Sequence, residues 1–556
     1  MTTAFVARPP APAALGSPAG PRRVWWLLAA GWAAQVVLRL WLYRYHTGPV
    51  ANPDEVGYLL AARWMAGGAG ADLSGTTFYQ AGYALLLVPA FWLTSDPVTA
   101  YRLVVVAGTL VAAGAYPVAY VLLRRLRAGR GTALAVAFAV GLSPALMLFA
   151  GLALADAILP VVVLGWLIAV HDFAARGSVR AGIAMGGPAA YAMSVHLRGT
   201  VILAVTLLTV AVLARRVPRV AVIAALACAV AGAAAGWALN ALLQAELYPT
   251  GTRDLGGLLL TRLTSLEGQA WALSGAAGQL WYLVAGTWGL AGVGLSGAAV
   301  LLARRAAPLA QRVVAGALLL ATLGIAYASS AALPDEHRVG NYAYGRYLAC
   351  VAVAWTLAGM LTLLRGGRPA AARHAAVAAG LLAVTGGVTL WYAGDRLERY
   401  AFIAFDFPEV IFLTGEPGAF DLVGASLSAL ALLACLAGSA LLSPRLAGPL
   451  AVGVLMLVHG AFAVHLAPRP PTPGRDWLPA PALGGVAVDA RVAWRVRLPL
   501  AYRVWWTEIE RFAGPPPPGA CTAVVPPDAA PPEGWAATGE GGVRQGWTSW
   551  ANRRCG

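Results

Sequence analysis

Apolar runs of about 20 residues recur along this chain from Val24 to Leu466. Each is long enough to cross the roughly 30 Å hydrocarbon core of a membrane. One such run could be a signal peptide, but a dozen cannot. Only 12% of the 556 residues are charged, about half of the roughly 25% that is usual in soluble domains. The sequence therefore predicts an all-α, polytopic integral membrane protein.

Short clusters of basic residues separate many of these runs, and every basic residue is Arg. Cytoplasmic loops of membrane proteins carry an excess of Lys and Arg. The net charge of +16 is therefore explained by such loops, and no nucleic-acid partner is expected. Alternating runs and clusters predict about 13 transmembrane helices. These spans are placed at residues 24–42, 102–123, 132–149, 158–173, 181–195, 200–214, 220–243, 279–303, 313–331, 346–364, 375–392, 422–442 and 450–466.

This topology divides the chain into three parts in a multi-pass protein of the cell membrane. Residues 1–23 form a cytoplasmic segment, residues 24–466 a transmembrane domain, and residues 467–556 an extracytoplasmic tail. Residues 82–93 are left uncrossed and are interpreted as a juxtamembrane or re-entrant helix in the first outer loop. The bias toward Ala, Gly and Arg without Lys is typical of a bacterial genome rich in G and C.

The tail is broken by proline, as in the segments PRPPTP and GPPPPG. Its length and composition predict either a small covering domain or a partly disordered extension. Cys521 and Cys555 are the two cysteines of this tail. If the tail is exported, we expect these two to form a disulfide.

An acidic pair follows the first predicted helix. Asp54 and Glu55 open an amphipathic stretch, where a helix dipole favours negative charge. The pair is therefore either an ordinary acidic helix start or a carboxylate base held at the membrane surface. Asp156 is less usual, because it lies in the apolar sequence LFAGLALADAILPVVVLGW. A carboxylate placed so close to the membrane normally faces a polar cavity or an ionic partner.

Two predicted outer turns carry basic residues against the topological bias. The first contains His196 and Arg198, and the second runs from Asp335 to Tyr347. The guanidinium group fits a pair of phosphate oxygens, although a carboxylate is an equally reasonable partner. The candidate residues of the second turn are His337, Arg338, Tyr344 and Arg346.

Together these motifs resemble the GT-C class of membrane glycosyltransferases, in particular its protein O-mannosyltransferase and aminoarabinose-transferase branch. The matching segments are Asp54–Glu55 with Tyr58, Ala155–Asp156–Ala157, Gly278–Leu283 before a returning helix, and Tyr344–Tyr347. The resemblance covers about residues 24–364. It implies a polyprenyl-phosphate-linked sugar donor and transfer to an acceptor hydroxyl, on a protein, lipid or glycan, at the outer face.

The resemblance also implies roles for the candidate residues. Asp54 and Glu55 would form the catalytic pair, with Asp54 as the base and Glu55 as the neighbour that orients it. Asp156 would bind the acceptor or hold a divalent cation such as Mg²⁺ or Mn²⁺. Arg198 and Arg346 would neutralise the charge that develops on the donor phosphate. Arg338 is a further candidate for the phosphate; His196, His337, Tyr344 and Tyr58 are further candidate site residues.

Two other functions fit a membrane protein of this composition. A transporter or flippase of lipid-linked sugars would carry ionisable residues near the membrane midplane and broken helices in paired halves. A ligase or polymerase of surface glycans would share the lipid-linked substrate. Charged residues concentrate in the predicted outer loops, and no internal repeat is found in the sequence, so the glycosyltransferase is the favoured interpretation.

Overall fold

The computed structural model describes residues 21–441, 444–467, 478–480 and 484–555. Most of the predicted cytoplasmic segment and the PRPPTP sequence of the tail therefore lie outside the described residues.

The described chain is mostly helical. The α-helices are α1 Pro21–Leu42, α2 Asp54–Met65, α3 Ala81–Leu93, α4 Pro97–Ala113, α5 Ala115–Arg125, α6 Arg130–Gly141, α7 Pro144–Phe149, α8 Leu159–Arg176, α9 Val179–Val195, α10 Arg198–Leu213, α11 Arg219–Leu247, α12 Leu255–Leu263, α13 Leu266–Gly286, α14 Leu290–Ala303, α15 Leu309–Ala332, α16 Gly340–Ala343, α17 Ala349–Arg365, α18 Gly367–Ala393, α19 Arg396–Arg399, α20 Pro408–Thr414, α21 Leu422–Leu441, α22 Pro444–His465 and α23 Trp494–Arg503. Short 3₁₀ turns occupy Ala155–Ala157, Gly345–Leu348 and Ala404–Asp406.

The prediction of a polytopic membrane protein is confirmed. Within the described residues, nine helical segments are long and apolar enough to cross a membrane. They are Arg23–Leu42, Pro97–Arg125, Leu159–Arg176, Arg219–Leu247, Leu309–Ala332, Gly340–Arg365, Gly367–Ala393, Leu422–Ser439 and Leu446–His465. A tenth span is formed if α13 and α14 are counted together, although they meet at a bend of 107°.

The predicted number of 13 spans is not confirmed. The remaining three predicted spans coincide with α6 and α7, with α9, and with α10, and none of these helices is as long as 18 residues.

The span predicted at 279–303 also differs from the structure, because α13 already begins at Leu266. Ser265 caps it by accepting a hydrogen bond from the backbone N–H of Gly268 at 3.1 Å. The Gly278–Leu283 segment therefore lies inside a helix and not before one.

Close helix packing depends on small residues, as is usual in membranes. A Cβ on Gly182 of α9 would lie 2.6 Å from the carbonyl oxygen of Ala221 on α11. One turn later, a Cβ on Gly186 would lie 2.6 Å from that of Ala225. Such contacts let the two backbones meet directly, so a larger residue at either glycine would force α9 and α11 apart.

The outward faces of the bundle are apolar. Trp237, Ile223 and Val230 of α11 are each more than 60% exposed, and Trp391 of α18 is 84% exposed. Large apolar side chains at this density on a surface would be unfavourable in water. Facing lipid they carry no such cost, which agrees with the membrane assignment.

The first loop, residues 43–96, contains the two helices α2 and α3. Helix α3 corresponds to the uncrossed segment 82–93 and has only 13 residues, about 20 Å at 1.5 Å per residue. It is therefore too short to be a straight span. It packs against α2 and α4, and nearly all of α2 is buried.

Of the two alternatives expected for the tail, the structure has a small folded unit. Its five-stranded sheet is not predicted from the sequence. Its strands are β1 Gly485–Asp489, β2 Glu510–Phe512, β3 Ala520–Val525, β4 Trp535–Gly542 and β5 Trp547–Asn552. They are ordered β2-β1-β3-β5-β4, with β1 parallel to both β2 and β3, and β5 antiparallel to β3 and β4. Cys521 of β3 and Cys555 are joined by a disulfide, with their Cα atoms 5.6 Å apart.

This C-terminal unit packs on the first loop through α23. The buried guanidinium of Arg63 on α2 donates hydrogen bonds to the carbonyl oxygens of Ala501 (2.9 Å) and Val504 (3.2 Å). Arg511 of β2 forms an ion pair of 2.7 Å with Asp72, and Tyr502 donates to the carbonyl of Pro97 at 2.7 Å. The tail therefore acts as a cover that holds the first loop in place.

Candidate active site

Asp54 stands at the first turn of α2. Its Oδ1 accepts a hydrogen bond from the hydroxyl of Tyr79 at 3.1 Å, and its Oδ2 forms an ion pair with Arg346 at 2.5 Å. Gly57 allows the first contact, because a Cβ there would lie 2.1 Å from the Tyr79 ring. The Asp54 side chain is 32% exposed. It is thus fixed in direction yet still open to a substrate.

Glu55 is fully buried and has four hydrogen-bond donors. Oε2 accepts from the backbone N–H groups of Val50 and Ala51, both at 2.6 Å. Oε1 accepts from the hydroxyl of Tyr101 and the backbone N–H of Ala153, both at 2.7 Å. These bonds join the start of α2 to α4 and to the chain before Asp156. These contacts suit Glu55 to position the start of α2 beside Asp54, the role expected for the neighbour of the base.

Asp156 lies in the 3₁₀ turn before α8, and its side chain is completely buried. Oδ1 accepts from Nη2 of Arg198 at 2.7 Å, and Oδ2 accepts from Nε of Arg346 at 2.9 Å. Burial alone would raise the pKa of this carboxyl, but the two guanidinium charges outweigh it and hold the pKa well below its ordinary value. Asp156 is therefore an ionised anchor for two arginines.

Arg198 is committed to protein partners. Besides Asp156, its Nη1 donates to the carbonyl oxygens of Arg346 (3.1 Å) and Tyr347 (3.2 Å), and its Nε lies 3.2 Å from Nδ1 of His196. Burial and the neighbouring Arg198 charge depress the pKa of His196 well below its ordinary value, so its imidazole is neutral. Arg198 and His196 therefore support the backbone of the turn that carries Arg346. The structure does not favour the expected phosphate contact of Arg198.

Arg346 is the residue that connects these groups. Its Nη1 reaches Asp54, its Nε reaches Asp156, and its side chain is 11% exposed. The neighbouring Gly345 packs directly on the ring of Tyr282 in α13, where a Cβ would lie 1.9 Å from a ring carbon. This contact explains why the Gly278–Leu283 segment matters although it is part of a helix: it supports the turn that carries Arg346.

The four charged residues form a row in which the sign alternates: Asp54, Arg346, Asp156, Arg198. The Asp156–Arg198 end is buried, and the Asp54–Arg346 end is accessible. Buried ion pairs stabilise a fold little, because desolvation offsets their attraction. Their use here is to fix one guanidinium and one carboxylate in defined directions at the open end, which is the preorganisation that catalysis requires.

The other candidate residues surround this row at different distances. Tyr58 is buried between the rings of Tyr79 and Tyr83, 5.3 and 5.0 Å between centroids. Tyr344 is buried and packs edge-on against Tyr347. His337 is exposed and contacts the ring of Tyr400, with centroids 5.2 Å apart; it makes no contact with the row.

Arg338 points to a second group of acids. It pairs with Glu336 at 3.0 Å and lies 3.6 Å from Asp406. Asp406 lines a cavity that also borders Arg346, and Glu409 lines the same cavity from α20. Neither acid is among the site residues predicted from the sequence. Tyr79, which orients Asp54, was also missed, and only the small residue at position 57 could have indicated that an aromatic ring packs there.

A metal site finds no support in the described part of the chain. No three or more His, Cys, Asp and Glu side chains gather there as a metal site would require. Both oxygens of Asp156 are also occupied by guanidinium groups. The alternative role of Asp156 as a cation ligand is therefore not favoured.

Neither a protein-family model nor a curated protein matches the sequence. The structure, however, is similar over nearly its whole length to the crystal structure of ArnT from Cupriavidus metallidurans bound to undecaprenyl phosphate. The TM-score is 0.56 at 14% identity, covering 96% of this chain and 98% of that one. This chain has the ArnT fold. The apo form of the same ArnT gives a TM-score of 0.50 at 14% identity, covering 94% and 98%.

The similarity to ArnT confirms the resemblance to the GT-C class at the level of the fold. It includes the C-terminal unit, because the aligned region covers almost all of both chains. At 14% identity it does not carry over the substrate or the acceptor of ArnT. The function must therefore be argued from the row of charges and the cavity beside it.

Proposed function

We propose that this protein is a membrane glycosyltransferase that moves a sugar from a polyprenyl-phosphate donor to an acceptor hydroxyl at the outer face of the membrane. The observation that carries the proposal is the Asp54–Arg346 pair, anchored by Asp156 and open on one side, in a chain with the ArnT fold. A carboxylate and a guanidinium side by side are the two groups that such a transfer needs.

The reaction divides between these two groups. An Asp54 carboxylate oxygen accepts the proton of the acceptor hydroxyl as its oxygen attacks C1 of the sugar. The bond between C1 and the phosphate oxygen breaks, and its electron pair leaves with the polyprenyl phosphate. Arg346 donates hydrogen bonds to that phosphate and stabilises the charge it gains. The products are the glycosylated acceptor, the polyprenyl phosphate and a protonated Asp54.

The ion pair with Arg346 also keeps Asp54 from acting as a base before the donor binds. Without a donor, Nη1 of Arg346 is held by Asp54. A phosphate is a competing acceptor for the same N–H groups, so donor binding weakens the hold on Asp54 and leaves the carboxylate available as a base. Asp156 accepts from Nε on the buried side, so the guanidinium can turn toward the phosphate without leaving the site.

The first prediction tests the donor role of Arg346. Arg346→Lys is expected to weaken binding of a polyprenyl-phosphate sugar by about 10-fold or more, because an ammonium cannot hold Asp156 and a phosphate together as the planar guanidinium does. The measurement is transfer of labelled sugar from polyprenyl-phosphate donors in membranes, at varied donor concentration. Arg399→Lys is the matched control, since Arg399 is exposed and pairs only locally with Asp395. An unchanged donor dependence would remove Arg346 from phosphate binding.

A second prediction tests the side of the membrane. The Arg clusters indicate that a reporter fused after Arg130 reads as cytoplasmic and one fused after Gly556 reads as exported. A phosphatase active only outside the cell and a fluorescent protein active only inside provide the two readouts. The reversed result, with the Arg130 fusion exported and the Gly556 fusion cytoplasmic, would place the site on the cytoplasmic face and contradict this part of the proposal.

A further inference from the structure

We propose that the cavity beside Arg346 binds the sugar ring of the donor, with Asp406 and Glu409 accepting hydrogen bonds from its hydroxyl groups. This inference rests on the proposed function and assigns one part of the substrate to one part of the site. The cavity lies between α7, the bend after α13, the start of α17 and the segment that carries α20. Its lining includes Ser143, Phe149, Arg346, Phe405, Asp406 and Glu409.

Asp406 is a buried carboxylate that lacks enough partners. The residue is 7% exposed, and its Oδ2 has no hydrogen-bond partner among the described residues. The nearest cation to that oxygen, Arg338, is 3.6 Å away, which is too long for a hydrogen bond. Burial raises the pKa of Asp406 to about 6, even though Arg338 and Arg346 act in the opposite direction. A buried acceptor left unsatisfied is costly, and a bound hydroxyl would remove that cost.

Glu409 follows Asp406 by three residues, at the start of α20. The hydroxyl of Tyr282 donates to Oε2 of Glu409 at 2.6 Å. A carboxylate offers about four acceptor positions on its two oxygens, so this bond leaves Glu409 capacity for further donors. Ser143 on the α7 side adds a hydroxyl that is buried and also without a hydrogen-bond partner.

The charges in the cavity select among the parts of the donor. Two carboxylates repel a phosphate, so the phosphate belongs at Arg346, at the edge of the cavity. A prenyl chain gains nothing from buried carboxylates and leaves them unsatisfied. A sugar ring supplies several hydroxyl donors and also C–H faces, and the rings of Phe149 and Phe405 in the lining suit those faces. The cavity therefore fits the polyhydroxylated ring of the donor.

This placement is consistent with the geometry of transfer. Arg346 borders the cavity and also contacts Asp54. In a donor with its phosphate at Arg346 and its ring beside Asp406 and Glu409, the ring carbon C1, which is bonded to the phosphate oxygen, lies at the edge of the cavity. Asp54 accepts from Nη1 of the same guanidinium, so the base lies close to the edge of the cavity where the acceptor hydroxyl would meet C1.

The test compares a lipid phosphate with and without the sugar. Purified full-length protein in lipid nanodiscs is titrated with decaprenyl phosphate, either bare or carrying mannose, glucose or arabinose, and the tightest-binding sugar is kept. Asp406→Asn and Glu409→Gln preserve shape, and each is made separately. Glu416→Gln, just after α20 and exposed, removes an equivalent charge outside the cavity and is the matched control.

We expect each cavity variant to lower affinity for the sugar-bearing lipid by about 10-fold. Affinity for bare decaprenyl phosphate should stay within about twofold, and Glu416→Gln should change neither. An equal loss for both lipids would overturn the inference and indicate that the cavity holds the lipid phosphate. No loss for either, with wild-type transfer intact, would overturn it while leaving the proposed function in place. Wild-type protein that transfers none of the sugars would instead count against the proposed function itself.

Discussion

Asp54→Asn is expected to reduce the rate of sugar transfer by about 10²–10⁴-fold, the contribution of a positioned general base. Asparagine keeps the size of the side chain and can still accept from Tyr79, but it cannot take the acceptor proton. Donor affinity should stay similar or increase slightly, because Arg346 loses a competitor for its Nη1. The measurement is single-turnover transfer of labelled sugar at saturating donor, which separates chemistry from binding.

Two other carboxylates serve as comparisons for Asp54→Asn. Asp395→Asn removes an exposed acid that pairs only with Arg399, and it should leave the rate unchanged. Glu55→Gln should mainly reduce stability, since an amide must place an NH₂ group among four hydrogen-bond donors. A stably inserted Asp54→Asn protein that transfers sugar at the wild-type rate would remove Asp54 from the mechanism. The first loop would then be an ordinary acidic helix start.

The membrane fold and the accessible end of the site could be predicted from sequence because both depend on local patterns. Each apolar run predicts a helix by itself, without information on what that helix packs against. Asp156 and Arg346 were selected because each is a charge in an unexpected place, and charges in such places require partners. Asp54 was selected as part of the acidic pair that follows the first predicted helix. The structure brings the three together.

Which charged residues are accessible and which only support them could not be predicted, because this depends on contacts between distant parts of the chain. Glu55 looks like Asp54 in sequence, but donors from Tyr101 and Ala153 occupy it. Arg198 looks like Arg346, yet its N–H groups are used by Asp156 and by the backbone of the 346–347 turn. No periodicity in a single sequence encodes which of two arginines is used in this way.

The C-terminal sheet was hidden for a different reason. Its strands are three to eight residues long, and proline-rich segments separate β2 from β3 and β3 from β4. Strands of this length give little periodic signal, so the sequence leaves both a small domain and a partly disordered extension open. Parallel pairing joins β1 to residues of β2 that are 23 positions away in sequence and to residues of β3 that are 35 to 36 positions away, which only the tertiary structure reveals. The two cysteines were the remaining local indication that this region is folded.

Asp156→Asn is expected to lower the free energy of unfolding by about 3–5 kcal/mol, the usual cost of leaving a buried charge without its partner. The side chains of Arg198 and Asp156 are 3% and 0% exposed, so water cannot replace the lost carboxylate. Arg346 is less affected, because it keeps its contact with Asp54. The measurement is the unfolding midpoint in detergent, followed by tryptophan fluorescence, together with the yield of inserted protein.

A double variant separates the electrostatic cause from simple loss of packing. In Asp156→Leu with Arg198→Met, both buried charges are replaced by apolar groups, so no unpaired charge remains. We expect it to recover most of the stability lost in Asp156→Asn, since apolar replacements of buried ion pairs are often neutral or stabilising. It should nevertheless remain almost inactive, because Arg346 has lost the anchor on its Nε and can turn fully toward Asp54. A double variant as unstable as the single one would refute the electrostatic account, and a double variant with full activity would show that the Asp156 anchor is not needed for transfer.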